Sequence, residues 1–259
     1  MLEFDDMKIQ KSFPEMKLEQ AMNSVIKLPA RPSNKALSPS SIGCQRAAAF
    51  KLSGAWGKED EETYESGLAA AMGSFCHERI QKFLSQSDIW VDVKEFVDEN
   101  PDLGLSVAKV QKHEGEISLT FSGIRKGEKV SPPFSFQCDG IVRIDGEYYI
   151  VEIKSETESA WQKRQAPNPK HQEQGTGYSF LYGIKNILWV YVSRESFGVH
   201  RKVYLQNIPK VQIDLFQTMC MDIGEAVEEK NIGRLPKAKD CRYCAFVNEC
   251  RKLDKVGNI

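Results

Sequence analysis

The residues best suited to chemistry fall in positions 136–154, Phe-Gln-Cys-Asp139-Gly-Ile-Val-Arg-Ile-Asp145-Gly146-Glu-Tyr-Tyr-Ile-Val-Glu152-Ile153-Lys154. Asp-Gly between two runs rich in β-branched and aromatic residues signals a hairpin, because both central positions of a type I′ turn need positive φ. With Asp145 and Gly146 as the loop, Ile144 faces Glu147 and Asp139 falls opposite Glu152. Directly opposed side chains stand roughly 5 Å apart, and Lys154, two residues past Glu152, projects from the same face. Two opposed carboxylates repel each other, so the arrangement calls for a cation. Two acids with waters and phosphate oxygens suit Mg²⁺, and Lys154 would then orient a water or neutralise charge on an attacked phosphate. A plainer alternative fits the same spacing: Asp139 precedes a bend at Gly140, Glu152 and Lys154 are solvated strand residues, and a bulge would break the register.

The next segment, 159–172, contains no acid but carries Trp161, Lys163, Arg164, Lys170 and His171. It is expected to form a basic loop, either an ordinary solvated one or one whose cations meet phosphates while Trp161 stacks on a base. Beyond it, Gln174 and Tyr178 form an i, i+4 pair on one helix face. His77 sits in Gly73-Ser-Phe-Cys-His77-Glu78, on an earlier helix where Gly73 and Ser74 allow close approach. A lone helical histidine is more often an ordinary core or surface residue than a ligand.

Seven cysteines form an odd set behind an acidic start with no apolar leader, which disfavours a disulfide framework. Cys241, Cys244 and Cys250 follow a C-x2-C-x5-C spacing, with Cys44 far upstream as a fourth thiol. Spacing alone leaves Zn²⁺ and [4Fe–4S] both open. Either group would tie an early helix to the tail. Cys76, Cys138 and Cys220 lie in apolar contexts and read as buried thiols.

The elements that must hold these residues follow from patterning over 259 residues, 41% of them hydrophobic. Helices are expected at 42–52, 66–85 (with Leu68, Met72, Phe75, Ile80 and Phe83 buried), 171–184 and 209–231. Strands are expected at 89–97, 116–124, 134–144, 147–154, 187–193 and 200–205. That order predicts an α/β fold, a mixed central sheet flanked by helices. Residues 1–37 are expected to be an arm, 38–259 a single domain, and 234–252 the metal-binding tail. The longest strongly apolar run, 187–192, is far too short to cross a bilayer, so an intracellular protein without a membrane span is expected. A net charge of −1 excludes the globally basic signature of many nucleic-acid binders. Charge is nevertheless segregated: 88–102 is acidic and 234–259 basic.

Taken together, Asp139 with Glu152-Ile153-Lys154, His77 before the sheet and Gln174-x3-Tyr178 after it resemble the PD-(D/E)XK nucleases of RecB type. Cys44 with C-x2-C-x5-C resembles their iron–sulphur subset, which includes AddB-like and CRISPR-associated RecB-like nucleases. Cys138 stands where the motif usually has proline. The resemblance, over about 40–252, implies a restriction-endonuclease-like core. It implies Mg²⁺ or Mn²⁺ held by His77, Asp139, Glu152 and the Ile153 carbonyl, with Lys154, Gln174 and Tyr178 completing the catalytic set. It also implies [4Fe–4S] on Cys44, Cys241, Cys244 and Cys250. The implied activity is DNA hydrolysis, as an exonuclease on single strands or free ends in recombination, repair or phage and CRISPR processing. A noncatalytic binding or assembly subunit is the alternative. There is no G-x4-G-K-[ST], so any unwinding falls to a helicase, recombinase or adaptation-complex partner.

Overall fold

The computed structural model describes residues 13–28, 33–55, 60–110, 117–121, 125–126, 129–239, 241 and 244–256. The described residues begin with helix α1 (Phe13–Met22), strand β1 (Ile26–Leu28), helix α2 (Gln45–Leu52), strand β2 (Asp60–Glu62) and the long helix α3 (Tyr64–Leu84). Strand β3 (Trp90–Val91) and helix α4 (Val93–Glu99) lead into β4 (Leu105–Val110), β5 (Ile117–Phe121), β6 (Arg125–Lys126), β7 (Lys129–Val130) and β8 (Phe134–Phe136). Next come β9 (Gly140–Ile144), β10 (Glu147–Glu156), α5 (Glu158–Lys163), α6 (Pro169–Tyr182), β11 (Asn186–Ser193), β12 (Arg201–Asn207), α7 (Lys210–Glu228) and α8 (Val247–Val256).

The central sheet runs β12-β11-β10-β9-β3. It is mixed: β10 and β11 are parallel and the other pairs antiparallel. A second sheet, β4-β5-β8, packs beside it. Helix α3 covers one face of the central sheet, packing its Cys76 with Val142, Val151, Ile153, Val190 and Val192. The other face holds Ile150, Ile187, Trp189 and Tyr191, and it joins α2, α6, α7 and the aromatic core of the second sheet. The result is the expected α/β architecture. Among the described residues, no helix is long and apolar enough to cross a membrane.

Local chemistry explains the key elements. Asp145 (φ 50°) and Gly146 (φ 83°) both adopt the left-handed conformation of a type I′ turn. The hairpin keeps the expected register from Ile144–Glu147 to Gly140–Val151. Helix α6 starts on Asn168, whose side chain accepts from Lys170 N–H at 3.0 Å, with Pro169 in its first position. Its buried Gly175 lets the helix lie close to the sheet, since a Cβ there would fall 2.6 Å from Ile187 Cδ1 and 2.8 Å from Trp189 Cζ2.

Several expectations are corrected. Positions 89–97 are a two-residue strand followed by helix α4, because Asp92 caps that helix by accepting from Glu95 N–H at 3.0 Å. On α3 the expected stripe holds only in part: Met72 and Ile80 are half-buried, Ile80 against the sheet, but Leu68, Phe75 and Phe83 are exposed, while Gly73, Cys76 and Gln81 are buried. The small residues allow contact with the sheet; a Cβ on Gly73 would come 2.9 Å from Ser155 Oγ. The expected strand 134–144 breaks at 137–139. The N-terminal arm contains helix α1, which buries nothing, and a strand paired with β2; residues 1–12 lie outside the described residues.

Candidate active site and cysteine cluster

Asp139 sits in the break between β8 and β9, one residue beyond the last hairpin pair. Its Oδ2 accepts from Ile153 N–H at 2.6 Å, and its Oδ1 lies 3.2 Å from His77 Nδ1. One helical turn past His77, the Gln81 amide donates to the Asp139 carbonyl at 2.9 Å. From the other side, the Tyr178 hydroxyl donates to the Gln137 carbonyl at 2.5 Å. The chain break that carries Asp139 is thus gripped by α3 and α6 together.

Glu152 is 2% exposed. Its Oε2 accepts from Lys154 Nζ at 2.8 Å and from Gln174 Nε2 at 3.4 Å. Gln174 also donates to the Tyr178 hydroxyl at 3.2 Å. Strand β10, α3 and α6 therefore bring His77, Asp139, Glu152, Lys154, Gln174 and Tyr178 into one hydrogen-bonded group. Gln81 was not singled out in the sequence, although its i, i+4 spacing from His77 was there to be read.

Electrostatics mark the centre as strained by charge. Burial, and then the negative charge of Asp139, push the Glu152 carboxyl up to about 7 against the opposing pull of Lys154. Burial works against the Lys154 ammonium, but Glu152 and Asp139 outweigh it and hold the amine above its usual range. The two shifts differ in meaning because Asp139 repels one partner of the ion pair and attracts the other. For His77, burial opposes the imidazolium and the hydrogen bond and charge of Asp139 prevail, raising it. Burial pushes the Cys138 thiol up to about 12, leaving it an inert neighbour.

A divalent cation fits the chemistry of this donor set, since it would relieve the buried repulsion between two carboxylates beside an imidazole. Among the described residues, however, no three His, Cys, Asp or Glu side chains close around a common metal position. The carboxylate oxygens are instead engaged by Ile153, His77, Lys154 and Gln174.

The expected basic loop is a different object. Residues 158–163 form α5, capped by Thr157, which accepts from Ala160 N–H at 3.3 Å. Trp161 is partly buried: its indole N–H donates to the Tyr191 carbonyl at 3.2 Å, Lys202 lies 4.6 Å from its ring centre, and His200 stacks on it at 5.3 Å. Arg164 pairs with Glu156 through two hydrogen bonds and covers the Tyr191 ring at 4.4 Å. Those two side chains hold the sheet edge together; Lys163 and Lys170 are exposed.

At the far side of α6, Cys44 occupies the position just before α2, and its sulfur accepts from Ala238 N–H at 3.4 Å. Burial, and more weakly the nearby Cys44, Cys241 and Cys250, raise the Cys244 thiol against the opposing pull of a backbone hydrogen bond at Phe246. All four cysteines are free and half-buried. Arg46 locks the tail onto α2, donating to the Leu235 and Gly233 carbonyls at 2.7 Å each and to Asp254 at 2.6 Å. Phe50 and Phe246 stack beside it, with centroids 5.6 Å apart. The four thiols are electrostatic neighbours whose softness fits Zn²⁺ or an iron–sulphur cluster; they are not closed into a cage.

No family model matches the sequence, and no curated protein matches it. Among solved structures, the chain is similar to a protein described as SSO0001, with a TM-score of 0.47 and 15% identity over 91% of this chain and 93% of that one. It is also similar to the alkaline exonuclease LHK-Exo from Laribacter hongkongensis, with a TM-score of 0.37 and 14% identity over 76% and 90% of the two chains. The complex of that enzyme with dAMP gives 0.35 and 14%, over 74% and 92%.

Proposed function

We propose that the chain is a divalent-metal-dependent nuclease that hydrolyses phosphodiester bonds of DNA, acting as an exonuclease on single strands or free ends. The observation that carries this reading is the buried Glu152 carboxyl, held beside both Asp139 and Lys154 and pushed up to about 7. A protein does not stabilise itself by burying two acids side by side; a site that must bind a cation has reason to. Asp139, Glu152, His77 and the Ile153 carbonyl would hold Mg²⁺ or Mn²⁺. When bound, such an ion would supply positive charge to offset the charge developing on a phosphate and would make a water more acidic. Lys154 holds its ammonium next to Glu152, where it orients the attacking water and offsets charge on the phosphate. Gln174 and Tyr178 hold the carboxylate and the Asp139 segment in place. Lys163 and Lys170 contact the strand's phosphates.

Cys44, Cys241, Cys244 and Cys250 would hold [4Fe–4S], which fastens the tail to α2. The decisive experiment is cleavage of 5′- and 3′-end-labelled single-stranded DNA by anaerobically purified protein, with Mg²⁺, Mn²⁺ or chelator, beside Glu152→Ala. Metal-dependent cleavage that the variant lacks supports the reading, and the first label to shorten gives the polarity. Cleavage that persists in the variant overturns the site. DNA binding without cleavage would point to a recruited binding subunit. Iron, zinc and sulfide analysis of the wild type and Cys244→Ser tests the cluster; colourless, zinc-containing protein would overturn it.

A further inference from the structure

The stripe of α6 that carries Gln174 and Tyr178 begins one turn earlier, at His171. Its imidazole stacks on Trp189 and Tyr191, with ring centres 6.1 and 5.7 Å away and interplanar angles of 24°. Trp189 and Tyr191 are the β11 partners of Glu152 and Lys154. The Lys154 ammonium lies 6.0 Å from the Trp189 ring centre. His171 therefore continues the row Tyr178–Gln174 past Glu152 to the level of Lys154.

Its hydrogen bonds fix its tautomer. The Tyr191 hydroxyl accepts from Asn168 N–H at 2.9 Å and lies 2.8 Å from His171 Nδ1. Tyr191 is 0% exposed, so its hydroxyl proton needs a protein partner. The available acceptor is Nδ1, which places the proton of the neutral ring on Nε2. Burial, and then the positive charges of Lys154 and Arg164, push His171 down to about 4, with Glu156 acting weakly the other way. Among the described residues, Nε2 has no hydrogen-bond partner.

We propose that His171 is a substrate-contacting residue whose neutral Nε2–H donates to a nonbridging phosphate oxygen of the nucleic-acid strand, with Tyr191 as the positioning residue that keeps the proton there. The proposal rests on the nuclease reading above. A neutral donor suits the place: a second cation would be repelled by Lys154, and a carboxylate would repel the phosphate. Because the ring stays uncharged, the contact keeps the same strength across neutral pH.

The test pairs histidine ¹⁵N spectroscopy with binding of a fluorescent oligothymidylate, both in the noncleaving Glu152→Gln background. The ring is expected as the Nε2–H tautomer from pH 6 to 8, mixed tautomers are expected in Tyr191→Phe, and saturating oligothymidylate should shift the Nε2 signal. His171→Phe should weaken binding roughly tenfold, and His171→Gln, which restores a side-chain N–H, should recover most of it. An Nδ1–H or cationic ring at pH 7, an unmoved Nε2 signal, or equal binding by the Phe and Gln variants overturns the proposal. Cleavage by otherwise wild-type His171→Phe separates the two ideas: unimpaired turnover at subsaturating DNA refutes the role of His171 alone. Absence of both cleavage and binding in the unmodified protein refutes the nuclease reading beneath it.

Discussion

If Glu152 is kept for a cation, it should weaken the metal-free fold, and Glu152→Gln should expose that cost as a change in pH dependence. The folded carboxyl titrates near 7 against an ordinary value of 4.5. At about 1.4 kcal/mol per tenfold change in acidity, its ionisation costs the fold at most about 3.5 kcal/mol. With the residue 2% exposed, solvent screening does little to reduce this; the shared ion pair with Lys154 makes it a ceiling. Between pH 4.5 and 7 the folded protein keeps a proton that the unfolded chain releases. The contribution is therefore fully present below 4.5 and is lost as pH rises through 7. Chemical or thermal unfolding followed by tryptophan fluorescence, in chelator at pH 5 and pH 8, measures it. The wild type should lose up to about 2.5 kcal/mol more than Glu152→Gln over that interval, or roughly 5–10 °C in midpoint. Mg²⁺ or Mn²⁺ at pH 8 should restore the loss in the wild type only. Parallel pH profiles for the two proteins would refute the reasoning, because the buried repulsion would then be absent.

Other consequences are equally direct. Gln81→Leu strips the Asp139 carbonyl of its donor, and metal titration of cleavage should show affinity or rate reduced roughly 10- to 100-fold with little change in folding. Arg46→Met removes the donors to Gly233, Leu235 and Asp254; a loss of about 2–4 kcal/mol and faster protease nicking within 234–256 are expected. Gly175→Ala pushes a methyl against Ile187 and Trp189, costing about 1–3 kcal/mol and displacing Gln174, readable as a lower unfolding midpoint together with slower cleavage.

The carboxylate hairpin was legible because a type I′ Asp-Gly turn leaves one register for ten following residues, and that register survives to Gly140–Val151. The Gln174–Tyr178 pair was legible because helical spacing alone sets its common face. What escaped was decided by packing. Helix α3 is apolar on several sides, and Gly73 and Cys76, with Ile80 and Leu84, meet the sheet while Leu68, Phe75 and Phe83 stay outside, because strand Ser155 must come close to Gly73. Trp161 and Arg164 looked available because their partners, Tyr191, Lys202 and Glu156, are supplied by strands, two of them 30 to 41 residues away. His77 was readable only jointly, since nothing in the sequence of α3 announces that Asp139 lies within reach of it.

The Arg46 clasp also sets an order of events during synthesis. Three of its acceptors lie at positions 233, 235 and 254, so the environment of α2 stays unfinished for roughly 10–40 s of translation at 5–20 residues per second. During that interval the faces of Ala48, Ala49 and Phe50 that later meet α7 and the tail lack their cover. A nascent chain stalled within 234–254 would therefore present a sticky, protease-sensitive α2. Any loading of the four thiols would come as one of the last steps in maturation, after the central sheet is already assembled.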